Sequence, residues 1–346
     1  MKKIFGSLCG ILFLSTFASF GWDYEGHRMV NQIALASLPA NFPAFIRSPA
    51  SQERVAFLAG EADRWRNTPE LRLQHAQEPE HFIDIEELAH CGMNATNLPK
   101  FRYDFVSQVT AARLKHPELF PPSGRDDPAR KYIWVGLLPW ALAENYAKLK
   151  SGFSYLKTFE ENGGTAEEIL NAQQNILYIM GVMGHYAGDS SQPLHTTIHH
   201  HGWIGDNPKK YSTKSSIHGW VDGGYVRKVG INFAELKPRV RTARAFSFTS
   251  PNAASQDVFP VVMNFILDQY KLVEPLYALD RDGHLSDQGE AGSKGRAFIT
   301  QQLLAGGHFL GDLWVSAWQG AMTDTFLKSQ LAKRKLAEPA PAAAKP

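Results

Sequence analysis

The chain has 346 residues, 44% of them hydrophobic, and its 36 Lys and Arg against 34 Asp and Glu give a formal net charge of +2. So even a balance excludes a global basic field able to hold long nucleic acid, so a phosphate-bearing substrate has to be gripped locally. Cys9 and Cys91 are the only cysteines, which excludes a disulfide framework, and without a Ser/Gly-rich linker the simplest organisation is one large domain with its own core.

The first 21 residues, MKKIFGSLCGILFLSTFASFG, join a basic start at Lys2 and Lys3 to an apolar stretch and a small-residue exit at Ala18, Ser19 and Gly21. This pattern predicts a secretory signal peptide, cut between Gly21 and Trp22, and a secreted or periplasmic product. The stretch is shorter than the roughly 20 apolar residues that span a bilayer. Cleavage would remove Cys9, Lys2 and Lys3, leaving a formal net charge of zero and no intramolecular disulfide.

Beyond it, Val30, Ile33, Ala34 and Leu38 form an apolar stripe ended by Pro39, and Val55, Leu58, Ala59, Ala62 and Trp65 form another. Both predict core-facing helices. Further helical periodicity runs through Trp140 to Leu149, Val261 to Leu272 and Phe298 to Phe326. Thr165 and Glu168 have capping-box spacing and open a run through Ile169, Ile176, Met180 and Met183, apolar enough for a central, buried helix. Alternating strand patterns are scarce. The expected fold is all-α: a single, mainly helical domain over 22–336, with long polar loops at 121–131 and 199–216 and a disordered Pro/Ala-rich tail at 337–346.

The chemistry concentrates where the central helix ends, in HYAGDSSQPLH. His185 and Asp189 are four apart and share one helical face, and Pro193 stops the helix and turns His195 in a new direction. A second pair, His218 and Asp222 in HGWVD, follows, and Asp63 and His81 stand upstream. Nitrogen and oxygen donors without thiolate suit a catalytic zinc better than a structural one. Spacing alone is weak, because His308 and Asp312 repeat it in a more apolar setting and are assigned to packing or a hydrogen bond. The run His199-His200-His201 lacks carboxylates and is expected to be solvent-exposed.

Taken in order, Trp22-Asp-Tyr-Glu-Gly-His27, Asp63 with Arg66, HFID at His81, HYAGDSSQPLH and HGWVD resemble the trinuclear-zinc, single-strand-specific nuclease family, sister to the bacterial zinc-dependent phospholipases C. The resemblance covers Trp22 to Asp222, with weaker similarity around Ala305 to Trp314. It implies a phospholipase C/nuclease-like helical bundle holding three zinc ions. One would be bound by Asp63, His81, His185 and Asp189, with Asp63 bridging to a second held by His27 and by the free amine and carbonyl of Trp22. The third would take His195, His218 and Asp222. Arg66 would neutralise charge on the phosphoryl oxygens, and Phe82 and Asp84 would stack on and hydrogen-bond a base. Arg66 as part of an exposed basic turn with Arg64, Phe82 as ordinary core and Asp84 as a turn cap are the structural alternatives.

The implied activity is hydrolysis of single-stranded DNA or RNA to 5′-phosphorylated products by a zinc-bridged hydroxide, with nucleotide 3′-phosphatase activity. The implied protein is a monomer that forms no stable nucleic-acid complex and keeps no integral membrane segment. A phospholipase C and a zinc-sequestering envelope protein are the competing readings. The interval from His81 to His185 is longer than the resemblance leads one to expect, and its aromatics Phe101, Tyr103, Phe105, Trp134 and Trp140 are candidates for a different substrate wall.

Overall fold

Among the described residues every regular element is a helix, and the long ones bury an apolar face, as the periodicity of the sequence requires. The structure, a computed structural model, describes residues 22–121, 126–248, 256–286 and 289–337. The expected signal peptide, residues 122–125 of the first expected loop and residues 338–346 of the expected tail lie outside the described residues. In chain order the helices are α1 (Tyr24–Ser37), α2 (Pro49–Phe57), α3 (Glu61–Arg66), α4 (Leu71–Gln77), α5 (Arg102–Lys115), α6 (Leu138–Asn162) and α7 (Ala166–Ser191). They continue as α8 (Ile217–Gly219), α9 (Tyr225–Val229), α10 (Phe233–Leu236), α11 (Phe259–Tyr270), α12 (Val273–Arg281), α13 (Ser293–Gln319) and α14 (Thr325–Ala337). Among the described residues the fold is all-α, a single domain around one core, and the isolated antiparallel bridge between Ile83 and Gly136 is the nearest approach to a sheet. No described helix is long and apolar enough to cross a membrane.

The central helix is α7. Its capping box forms as the spacing predicts, with Thr165 Oγ1 accepting from Glu168 N and Glu168 Oε2 accepting from Thr165 N. It packs against α6, α1, α2 and α13, burying Ile176, Leu177, Met180 and Met183. Glycines at 181, 184 and 188 make this close packing possible: a Cβ at Gly184 would stand 1.6 Å from Asn31 Oδ1, and one at Gly188 would stand 2.6 Å from His27 Nδ1. Close approach of α1 is therefore what carries His27 to the lower half of α7.

Three boundaries differ from expectation. The stripe from Val55 to Trp65 is not one helix, because a 3-10 turn at Leu58–Gly60 separates α2 from α3, and Gly60 lies under the Tyr24 ring, where a Cβ would be 2.7 Å from it. The pattern from Phe298 to Phe326 is likewise split: α13 ends at Gln319, and α14 carries helix through Ala337, the first residue of the expected tail. The loop expected at 199–216 opens with a 3-10 turn, Ile198–His201. Helices α4, α5, α8, α9, α10 and α12 went unpredicted.

Candidate metal centre

The candidate ligands are delivered by several local devices. His27 comes from the first turn of α1, Asp63 from α3, and His81 from the end of a 3-10 turn at Glu78–His81. His185 and Asp189 lie one turn apart at the end of α7; Gln192 caps that helix and Pro193 begins a new 3-10 turn, Pro193–Thr196, which carries His195. His218 sits on α8, which passes into a π-helical turn, Trp220–Gly224, bearing Asp222. Such π turns often mark functional positions.

Three donors close on one point and a fourth stands near it. His81 Nδ1 is 2.9 Å from His185 Nε2 and 3.0 Å from Asp189 Oδ2, and His185 Nε2 is 3.3 Å from that same oxygen. Asp63 Oδ1 lies 3.7 Å from His185 Nε2 and 3.9 Å from His81 Nδ1. Donors bound to one zinc at 2.0 to 2.1 Å stand about 3.3 Å apart, a spacing that His81, His185 and Asp189 match and that Asp63 approaches.

A second group is His27, Asp63 and His185, and a third is His195, His218 and Asp222. In the third, His218 Nε2 lies 3.0 Å from His195 Nε2 and 3.2 Å from Asp222 Oδ2. His27 Nε2 is 3.4 Å from Asp189 Oδ1, and its ring stacks on His185 with centroids 3.7 Å apart. The first two groups share His185, and Asp63 of the second stands 3.9 Å from His81 of the first. The His185 imidazole has a single lone pair to offer, because its Nδ1–H donates to Ala59 O at 2.7 Å. Asp63, with two oxygens, is the side chain chemically able to serve both.

The donor set fits a cation. His27 Nδ1 and Nε2, Asp189 Oδ1 and Asp222 Oδ2 are buried without a hydrogen-bond partner, an arrangement that costs stability unless something else satisfies them. Burial, then the charge of Arg66, lowers His81 to about 4, and burial together with His185 holds His27 well below its ordinary value. Burial works to raise Asp189 and Asp63, yet His185 and His195 hold the first, and Arg66 with His185 the second, below the ordinary carboxylate range. Against burial, Asp189 and Asp63 raise His185. Burial lowers His195 and His218 and pushes Asp222 up. Buried carboxylates and imidazoles crowded together in this way form a donor set that could hold a metal ion.

The donors open on a cleft of about 400 Å³ lined by Arg66, His81, His195 and His218 together with Phe82, Asp84, Lys131, Tyr132, Trp134, His200 and His201. Arg66 is 7% exposed, which removes the exposed-turn alternative; its Nε donates to Asp63 Oδ1 at 2.8 Å, whereas Arg64 is exposed and pairs with Glu61. Phe82 and Asp84 face the cleft, and burial reinforced by Glu86 and Glu87 pushes the Asp84 carboxyl well up. The Trp22 indole is buried, and its Nε1–H donates to Ser191 Oγ at 3.2 Å. A Cβ at Gly188 would meet Trp22 and His27 together, so the two are neighbours.

The expectation of solvent exposure for His199 to His201 is corrected. All three are half-buried: His199 stacks on Trp203 at 3.9 Å, and His200 and His201 border the cleft beside His218, because Tyr277 holds the His199 carbonyl and folds the turn inward. None of the three belongs to a metal-binding group among the described residues. His308 and Asp312 are structural as expected, accepting from Arg241 N at 3.1 Å and from Arg244 N at 2.9 Å. Of the five aromatics in the long interval only Trp134 lines this cleft; Phe105 and Trp140 stack on one another at 4.0 Å, while Phe101 and Tyr103 are exposed. Sequence reading missed Glu78, Lys131 and Tyr132, which carry no motif. The chain matches no family model and no curated protein.

Proposed function

We propose that the chain is a zinc-dependent hydrolase of phosphodiesters in single-stranded DNA or RNA, releasing 5′-phosphorylated products and able to remove nucleotide 3′-phosphates. The observation that carries this reading is the convergence of His81, His185 and Asp189, with Asp63 close by, beside the trio His195, His218 and Asp222, reaching one cleft through His81, His195 and His218, with Arg66 paired to Asp63 on its wall. Zinc bound by these donors would supply an activated water and charge neutralisation at phosphorus. Arg66 offers a planar fork of donors to the phosphoryl oxygens, and its ion pair with Asp63 fixes its direction. Phe82 presents an aromatic face to an unpaired base, which a base within a duplex does not expose.

Lys131 on the cleft wall opposes the phospholipase reading, since a quaternary ammonium head group would meet a like charge there. Export is part of the proposal: cleavage after Gly21 would free an amine at Trp22 beside His27 as a further ligand. The test gives the zinc-loaded protein single-stranded DNA, single-stranded RNA, duplex DNA and phosphatidylcholine vesicles side by side. Single strands are expected to be cleaved far faster than duplex, with vesicles inert and His185→Ala inactive. Turnover that survives complete chelation, or a preference for vesicles, refutes the reading.

A further inference from the structure

The segment 126–137 is built as a fixed wall rather than a loose loop. The Asp127 carboxylate accepts from Lys131 N and from Tyr132 N, each at 3.0 Å. His75 Nδ1 lies 2.9 Å from Ala129 O, and Arg113 donates to Ile133 O at 2.6 Å, tying the segment to α4 and α5. At its far end Asp84 N donates to Val135 O at 2.8 Å and Leu138 N to Phe82 O at 3.2 Å, around the Ile83–Gly136 bridge. The wall is thus locked to the stretch that carries His81.

That lock delivers a second cation beside Arg66. Lys131 Nζ stands 3.8 Å from Glu78 Oε2, and Arg66 Nη1 stands 3.7 Å from Glu78 Oε1. Both separations exceed hydrogen-bond reach, so one carboxylate lies between two cations and orients each by charge. The Lys131 side chain is 23% exposed and borders the cleft, whereas that of Arg66 is 8% exposed and sits deeper. An ammonium on a flexible stem suits a phosphate approached from solvent.

We infer that Lys131 is a substrate-binding residue for a second phosphate, the one flanking the phosphate at the metal donors and Arg66, so that the cleft recognises a chain of at least two phosphates. This rests on the phosphodiesterase reading and deepens it. Glu78 acts through the two cations as a positioning residue.

The test compares a dinucleoside monophosphate, which has one phosphate, with a single-stranded ten-nucleotide oligomer on the zinc-loaded protein. Lys131→Ala is expected to raise KM for the oligomer about tenfold more than for the dinucleoside, the loss of one charge-assisted hydrogen bond, and Lys131→Arg to restore much of the difference. Equal effects on both substrates overturn the inference. A readout independent of turnover is calorimetric titration of the same proteins with pyrophosphate and with orthophosphate, where Lys131→Ala should weaken pyrophosphate preferentially. If wild type cleaves neither substrate, the phosphodiesterase reading falls by itself. The second-phosphate site then stands on preferential pyrophosphate weakening and falls if the two anions weaken alike or not at all.

Discussion

His195 Nδ1 donates to the carbonyl oxygen of His81, 2.5 Å away, so a side chain of one donor group is keyed to the backbone of another. The bond fixes the tautomer of His195 and leaves Nε2 to face His218. It also braces the turn that aims His81 at His185 and Asp189.

Unequal effects of two neighbouring substitutions are therefore expected. His218→Ala removes a donor from the third group alone and should cost about one bound ion. His195→Ala removes a donor and the brace, so it should in addition weaken the His81 group by the 10- to 100-fold typical of outer-sphere partners. Metal content after dialysis, followed by zinc titration against a competing chelator, measures both. Identical titrations for the two variants would show that the groups are independent.

Gly188→Ala should separate the centre from the fold. The added methyl would stand 2.6 Å from His27 Nδ1, and the ring cannot retreat because it stacks on His185. In helix the change itself gains roughly 1 kcal/mol of propensity. The variant is expected to keep its helical circular dichroism while losing at least tenfold in zinc affinity. Gly184→Ala instead drives a methyl onto Asn31, whose Nδ2 donates to Val55 O and Gly181 O, and should unfold more easily.

Periodicity made the central helix and its chemistry legible. The capping box at Thr165, the run to Met183, the four-residue step from His185 to Asp189 and the break at Pro193 are local, and each forms as the residues alone predict. What stayed hidden depends on partners distant in the chain. The break between α2 and α3 is set where Tyr24 lies over Gly60, a contact no window of residues contains. His200 turns inward because α12 supplies Tyr277 to the neighbouring carbonyl, and Lys131 reaches the cleft because Asp127, α4 and α5 pin its segment. Irregular backbone has no period to read.

Cys91 should behave as an inert thiol. Burial, reinforced by Glu87, pushes it up to about 11. Because the thiolate is the reactive form and its fraction falls tenfold for each pH unit below the pKa, about one thiol in a thousand is ionised at pH 8. In a Cys9→Ser background, reaction with a disulfide reagent should be slow at pH 8, should quicken steadily as pH rises towards 11, and should become fast in denaturant at any of these values. Rapid labelling of the native protein at pH 8 would contradict the buried placement.

Gly136 joins the stretch that carries His81 to the wall, and its φ of +99° lies in the region that side chains avoid. A Cβ there would stand 2.1 Å from Phe82 O and 2.5 Å from Ile83 Cα, both backbone atoms with no freedom to swing aside. Gly136→Ala is therefore expected to cost about 1 to 3 kcal/mol of strain, or to displace one stretch from the other. Since Phe82 and Lys131 stand on opposite sides of this junction, displacement should weaken pyrophosphate binding although every phosphate-facing side chain is retained. Denaturant melts report the strain, and calorimetry reports the displacement. A variant matching wild type in both would mean that the bridge between Ile83 and Gly136 does not hold the wall in place.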